Sequence, residues 1–289
     1  MKGIILAGGK GTRLRPLTLA VSKQLLPIND KPMIFYPLST LMMARIKDIL
    51  IISSEEDIDN YKRLFEDGSH LGLNITYASQ SNANGIAEAF IIGKDFIGDE
   101  EVCLILGDNI FYGLDYSQMF QKSTKKIKGA KIFGYEVSNP DEFGVVEFDK
   151  KGKVKSIEEK PKFPKSNYAI VGLYMYDNSV IEISENLKPS SRGELEITDV
   201  NKEYLKKSKL NVEFLNDGVA WLDTGTHNSL LDASHFVSAI EKRQAVKIGC
   251  IDEVAFKNHW INKKQLLKNS KMYSGTPYGD YLIKIAKRK

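Results

Sequence analysis

A short, almost wholly apolar run, Gly3-Ile4-Ile5-Leu6-Ala7, leads directly into Gly8-Gly9-Lys10-Gly11-Thr12-Arg13-Leu14. No other junction limits the fold of this chain so tightly. A strand without polar alternation is covered on both faces, as in a parallel sheet with helices on either side. Residues 49–52 and 102–106 repeat the pattern, and 75–78 is a weaker copy. Helical periodicity fills the gaps over 33–44, 57–65 and 86–92, and 116–126 follows the last of these strands. Strands separated by helices imply right-handed βαβ units, so an α/β fold with a mainly parallel sheet is expected.

The pattern changes after about residue 130. Residues 131–137, 144–148, 153–158 and 169–176 are strand-like and closely spaced, with 149–152 as a hairpin turn. They predict a β-rich insertion on the same sheet or a second lobe beside it. Thr198 is placed to cap a helix running to Lys207. Residues 220–222 read as one more short strand, and from Asn228 onward the chain reads mostly helical, with helices over 234–241 and 263–269. No internal repeat occurs, and no hexapeptide repeat of a β-helix.

Composition narrows the function classes. The chain has 289 residues and a net charge of +4, from 41 Lys+Arg against 37 Asp+Glu. That balance excludes charge-driven disorder and is a poor footprint for a nucleic-acid binder. Two cysteines, Cys103 and Cys250, give no disulfide framework, and Cys103 lies in an apolar run that suits a core thiol. The four histidines lack metal-ligand spacing. No apolar run approaches the roughly 18 residues of a membrane span, and the first strand leaves no room for a signal peptide. A cytoplasmic protein with no membrane partner is expected.

The glycine loop after the first strand lets backbone approach an anion and present N–H groups to it. It is neither a Walker A loop, since Gly9 follows Gly8 where Lys is needed, nor a dinucleotide fingerprint, since Leu14 stands where the third Gly or Ala belongs. What remains, with Arg13 and Arg15, suits a triphosphate. Lys23, in Ser22-Lys23-Gln24-Leu25-Leu26-Pro27, can neutralise phosphoryl oxygens. Asp108 and Asn109 follow an apolar strand at the end where α/β proteins bind ligands. Asp223, in Trp221-Leu222-Asp223-Thr224-Gly225-Thr226, is a second strand-end carboxylate, and two such groups suit Mg²⁺. Lys160 and Arg192 stand beside acids. Taken singly, each also fits a bland role: a tight turn for the glycines, a solvated Lys23, an Asx-turn for Asp108, a helix cap for Asp223, ion-pair partners for Lys160 and Arg192.

Taken in order these blocks resemble the sugar-phosphate nucleotidyltransferases over nearly the whole chain, and among them the members that join thymidine nucleotides to glucose 1-phosphate. The first loop marks the superfamily only. Arg192-Gly193-Glu194-Leu195-Glu196-Ile197-Thr198-Asp199 together with the Trp-Leu-Asp-Thr-Gly-Thr block is far more specific. The resemblance implies a Rossmann-like α/β core. It also implies the reaction of dTTP with α-D-glucose 1-phosphate to give dTDP-glucose and pyrophosphate, assisted by Mg²⁺, as the first step toward dTDP-rhamnose. Carried over by motif position, Leu6, Gly8, Gly9, Gly11, Thr12 and Arg13 hold the nucleotide, Lys23 neutralises charge near the α-phosphate, and Asp108 and Asp223 hold the metal. Gln80 and Gly85 face the base with Gln24 nearby. Asn109, Gly144, Glu159, Lys160 and Ile170 line the glucosyl site, with Lys160 and Arg192 on its phosphate. Arg13, Lys23, Asp108, Lys160 and Asp223 form the implied catalytic set. Residues 1–227 would be the core, with nucleotide bound by about 1–130 and sugar phosphate by about 131–227. Residues 228–289 would be a helical appendage, and the assembly a homotetramer.

Three blocks depart from the family pattern. Ala83-Asn84-Gly85 replaces the usual Pro-Asp-Gly near the base, Ile170-Val171-Gly172 replaces Val-Thr-Gly near the sugar, and Asp217-Gly218-Val219 replaces Arg-Gly-Tyr. The last puts an anion where members inhibited by dTDP-rhamnose carry a cation, so weakened feedback inhibition is expected. Rival expectations are the same chemistry with UTP or another sugar 1-phosphate, a non-catalytic nucleotide-sugar sensor, and a dinucleotide-dependent oxidoreductase.

Overall fold

A computed structural model of the protein describes residues 1–125, 127–150 and 152–288. Lys126 of the expected helix end, Lys151 of the expected turn and Lys289 of the tail lie outside the described residues. The centre of the molecule is a nine-stranded sheet. Its first four strands are β1 (Lys2–Ala7), β2 (Asp48–Ser53), β3 (Asn74–Ser79) and β4 (Val102–Leu106). β1 lies between β2 and β4, and β3 extends the sheet beyond β2, with all three pairings parallel. Along β1, Ile5 faces one core cluster and Ile4 the other, which is why the run carries no polar alternation.

One further strand, β5 (Asn109–Gly113), leaves the sheet immediately after β4. The later strands then return to it: β6 (Ala130–Glu136), β7 (Gly144–Phe148), β8 (Val154–Glu159), β9 (Tyr168–Tyr176) and β10 (Leu210–Phe214). β9 runs antiparallel to β4, β6 and β7, so residues 130–176 continue the one sheet instead of forming a lobe beside it. β11 (Val219–Asp223) pairs with β5 as a separate two-stranded ribbon. β5 had no clear local signature, because its partner lies about a hundred residues further along the chain.

Helices cover both faces. α1 (Phe35–Met43), α2 (Ile58–Phe65) and α3 (Glu88–Ile92) follow the first strands, and α4 (Tyr116–Ser123) follows the ribbon's first strand. α5 (Ile197–Lys206) carries buried Ile197, Val200 and Tyr204 on its inner face. Four helices close the chain: α6 (His227–Gln244), α7 (Ile251–Lys257), α8 (Lys263–Met272) and α9 (Pro277–Lys287). α6 starts seven residues before the expected stretch, from a capping box in which Thr226 and Ser229 bond reciprocally. No helix among the described residues is long and apolar enough to cross a membrane.

Candidate active site

The carboxyl end of β4 opens on a cleft of about 240 Å³, whose wall also carries Arg13 from the loop that follows β1. The glycine loop leaves β1 at Ala7 and turns at Gly11, whose φ of +54° and close approach to the Thr18 methyl (a Cβ would lie 2.9 Å away) suit only glycine. A short 3₁₀ turn, Thr12–Leu14, follows, pinned by buried Leu14 and leaving Arg13 exposed on the cleft wall.

Asp108 and Asp223 converge because the ribbon register sets Asp223 opposite Asn109. Thr224 ties the two strand ends together, its hydroxyl donating to the Asp108 carbonyl at 2.9 Å. Asn109, only 2% exposed, is the hub behind them. Its Nδ2 donates to Asp108 Oδ1 at 2.9 Å, while its Oδ1 accepts from Trp221 Nε1 at 2.6 Å and from the Gly172 N–H at 3.0 Å. Position 172 must be glycine for this: a Cβ there would stand 2.7 Å from the Asn109 carboxamide. Asn109, expected to contact the substrate, lines the cleft and has this structural duty.

Lys23 lies in a 3₁₀ turn (Lys23–Leu25) and its Nζ donates to Asp108 Oδ2 at 2.5 Å, with both side chains largely shielded from solvent. Burial pushes Asp108 up, but Lys23 and the Asn109 amide outweigh it and hold the carboxyl below its ordinary value. Asp223 goes the other way. Burial and the Asp108 charge push it up to about 6, against the pull of Lys23 and Arg13. Two carboxylates near enough to raise one another's proton affinity, with the one ammonium bonded to Asp108, are a donor set that fits a divalent cation held by two carboxylates.

The opposite wall holds Gly144, Ile170, Glu159 and Lys160. Glu159 ends β8 and accepts from the Thr198 hydroxyl at 2.5 Å. This corrects the expected role of Thr198. Glu196 is the N-cap of α5, no side chain caps it, and Thr198 lies inside the first turn with its hydroxyl turned into the cleft. Lys160 has a left-handed backbone, φ +44°, uncommon for a side chain with a Cβ, and enters no ion pair among the described residues. Arg192 is not on the cleft wall. Its guanidinium forks onto Glu196, with Nε at 3.0 Å and Nη2 at 2.7 Å, and Nη2 stands 3.9 Å from Glu159.

Leu6, Gly8, Gly9, Gly11 and Thr12 lie at and just beyond the end of β1, off the cleft wall itself, and there Gln24 Nε2 donates to the Gly8 carbonyl at 3.3 Å and Gln80 approaches Gly8 from the end of β3. Gly85 lies beside Gln80, its carbonyl 3.4 Å from Gln80 Nε2. Thr198, Trp221 and Glu142, which also line the cleft, carried no site assignment in the sequence reading. Thr198 and Trp221 stood inside quoted blocks, but their side-chain directions depend on Glu159 and Asn109, distant along the chain.

The nucleotidyl transferase family model matches residues 2–240. The chain belongs to this family. Among curated nucleotidyltransferases, glucose-1-phosphate thymidylyltransferase from Neisseria meningitidis is 51% identical over the full length of both chains. The Mycobacterium tuberculosis protein of the same name is 53% identical, again over all of both chains. A solved Bacillus anthracis structure, itself only provisionally assigned as a glucose-1-phosphate thymidylyltransferase and complexed with sucrose, matches with a TM-score of 0.76 and 42% identity. It covers 82% of this chain and 94% of that one. A UDP-glucose pyrophosphorylase complexed with UDP-glucose shares the fold, with a TM-score of 0.74 at 24% identity.

Proposed function

We propose that this nucleotidyltransferase transfers the thymidylyl group of dTTP to α-D-glucose 1-phosphate. A sugar-phosphate oxygen attacks the α-phosphorus in line, a new P–O bond forms, and the bond to the β-phosphate oxygen breaks to release pyrophosphate. The phosphate monoester is already an anion at neutral pH, so no general base is needed and the protein's work is positioning and charge neutralisation. The observation that carries this is the Asp108–Lys23–Asp223 group set between the glycine loop and the Glu159–Lys160 wall.

Gly8, Gly9, Gly11, Thr12 and Arg13 cradle the triphosphate from the end of β1 near Leu6. Lys23 neutralises charge at the α-phosphate and leaving group. Asp108 and Asp223 would hold Mg²⁺, which when bound neutralises phosphoryl oxygens. Gln80 and Gly85, with Gln24 nearby, meet the base. Asn109, Gly144, Glu159 and Ile170 meet the glucosyl group, and Lys160 its phosphate. Arg192 acts on that phosphate from the cleft rim, and to do so its guanidinium reorients from Glu196. Residues 1–130 and 131–227 would form the nucleotide and sugar-phosphate parts, with 228–289 as an appendage. The enzyme would act in the cytoplasm as a homotetramer, supplying dTDP-glucose for dTDP-rhamnose-type sugars.

Pyrophosphate release measured with Mg²⁺ over a matrix of nucleoside triphosphates and sugar 1-phosphates tests this. The highest kcat/KM is expected for dTTP with glucose 1-phosphate. A higher value with UTP, or with another sugar 1-phosphate, overturns the corresponding half of the assignment, and no release with any pair overturns catalysis itself.

A further inference from the structure

Gln80 follows the last residue of β3, and its side chain is buried. Its Nε2 donates to Glu88 Oε2 at 2.6 Å and, at the long distance of 3.4 Å, to the Gly85 carbonyl. Glu88 sits on the first turn of α3, and its other oxygen accepts from Asn84 Nδ2 at 2.8 Å. An ionised carboxylate only accepts hydrogen bonds. The Gln80 amide can therefore meet Glu88 only with its NH₂ end, and both hydrogens of that end have acceptors. Oε1 is turned the other way, against the phosphate loop, where a Cβ on Gly8 would lie 2.9 Å from it. Among the described residues no protein group donates to that oxygen.

We infer that Glu88 is a positioning residue that fixes which pyrimidine edge the nucleotide site accepts. The inference rests on the proposed placement of Gln80 against the base. With its amide locked, Gln80 presents an acceptor, so the base must answer with a donor. Thymine and uracil carry N3–H. Cytosine carries a lone pair at N3, which would leave two acceptors facing each other. A site built around one hydrogen bond rejects an analogue that cannot make it, because the buried group is left unpaired. A carboxamide in place of the Glu88 carboxylate can donate or accept. Gln80 could then turn over and offer its NH₂ to cytosine, since the long contact to Gly85 is too weak to hold the amide alone.

The experiment compares kcat/KM for dTTP and dCTP, with glucose 1-phosphate as acceptor, in the parent, Glu88→Gln, Gln80→Ala and the double swap Gln80→Glu/Glu88→Gln. The dTTP-to-dCTP ratio is expected to fall by about tenfold or more in Glu88→Gln, with the KM for the sugar phosphate unmoved. In the swap the ratio recovers, because a carboxylate at position 80 has only acceptors to present and the carboxamide at position 88 donates to it. General damage to the site would not restore discrimination in the swap. An unchanged ratio in Glu88→Gln, or a swap as relaxed as Glu88→Gln, overturns the role of Glu88 alone if Gln80→Ala does lower the ratio. If Gln80→Ala leaves the ratio at the parent's value, Gln80 does not face the base, and that placement fails together with the inference.

Discussion

The cleft aspartates and a buried aspartate of the carboxyl-terminal helices are stabilised in opposite ways. In the cleft, Asp108 is kept charged by Lys23, and Asp223 shares the space at the cost of a raised affinity for its proton. In the carboxyl-terminal helices, Asp252 on α7 is 1% exposed and has no Lys or Arg partner among the described residues. Neutral donors satisfy it instead: Asn269 of α8 at 2.8 Å and Tyr278 of α9 at 3.1 Å. Burial pushes its carboxyl up, and the Asn269 and Tyr278 hydrogen bonds with the nearby His70 ring bring it only part of the way back. Under the proposed function, the first arrangement would keep charge ready for a polyanionic ligand and its counter-ion. The second uses a carboxyl to join three helices. The same residue type, half-buried on the cleft wall and fully buried among the helices, behaves differently in the two places because of what donates to it.

Removing charge from the cleft should therefore cost turnover. Asp108→Ala is expected to lower kcat by at least about a hundredfold, as loss of a preorganised electrostatic contact commonly does. Near-normal turnover with Mg²⁺ would remove Asp108 from the site. Asp223→Asn should lose turnover on a similar scale while gaining stability. With its folded-state value raised to about 6, Asp223 favours folding when protonated, and that contribution is lost as pH rises through about 6. At pH 7.5 the variant should unfold at a higher temperature than the parent, and the gap should close as pH falls toward about 4. A variant less stable than the parent at pH 7.5 would contradict the crowding of the two carboxylates.

Lys160 and Lys23 sharpen the contrast within the cleft itself. Lys23 is committed to Asp108, whereas Lys160 is exposed and enters no ion pair among the described residues. Lys160→Ala should raise the KM for glucose 1-phosphate by about tenfold, the equivalent of about 1.4 kcal/mol, and leave thermal stability unchanged. A rise confined to the KM for dTTP would move Lys160 to the nucleotide side.

The sequence made one half of this contrast readable and hid the other. Strand β1, its glycine loop and the two strand-end aspartates stand out because apolar runs and glycine punctuation are local signals, and the order of the blocks ties them together. Which group faces which is not local. Thr198 looked like a helix cap because Ser and Thr before an apolar periodic stretch usually are, but Glu159, about forty residues earlier, takes its hydroxyl. Arg192 carried a phosphate role by resemblance and an ion-pair role by its neighbours, and Glu196 four residues on holds it at present. Asp252 gave no signal at all. Nothing in Cys250-Ile251-Asp252-Glu253 distinguishes a buried carboxyl from an exposed one, since its partners come from two later helices.

Asp252→Asn tests that architectural half, with the smallest expected effect. Asparagine keeps the size of the side chain and an acceptor for Asn269, so kcat and both KM values should stay at the parent's. The difference appears in stability against pH. A carboxyl whose folded-state value is raised favours folding most at acid pH, below its ordinary value, and that contribution is lost as pH rises through the folded-state value. Between about pH 4 and pH 8 the parent should lose ground to the variant, with unfolding midpoints that coincide at the acid end and separate by a few degrees at the basic end. If the two midpoints run parallel across that range, Asp252 does not hold its proton more tightly in the folded state. If kcat falls with the substitution, the helical region is coupled to the cleft and the division between the two carboxylate groups breaks down.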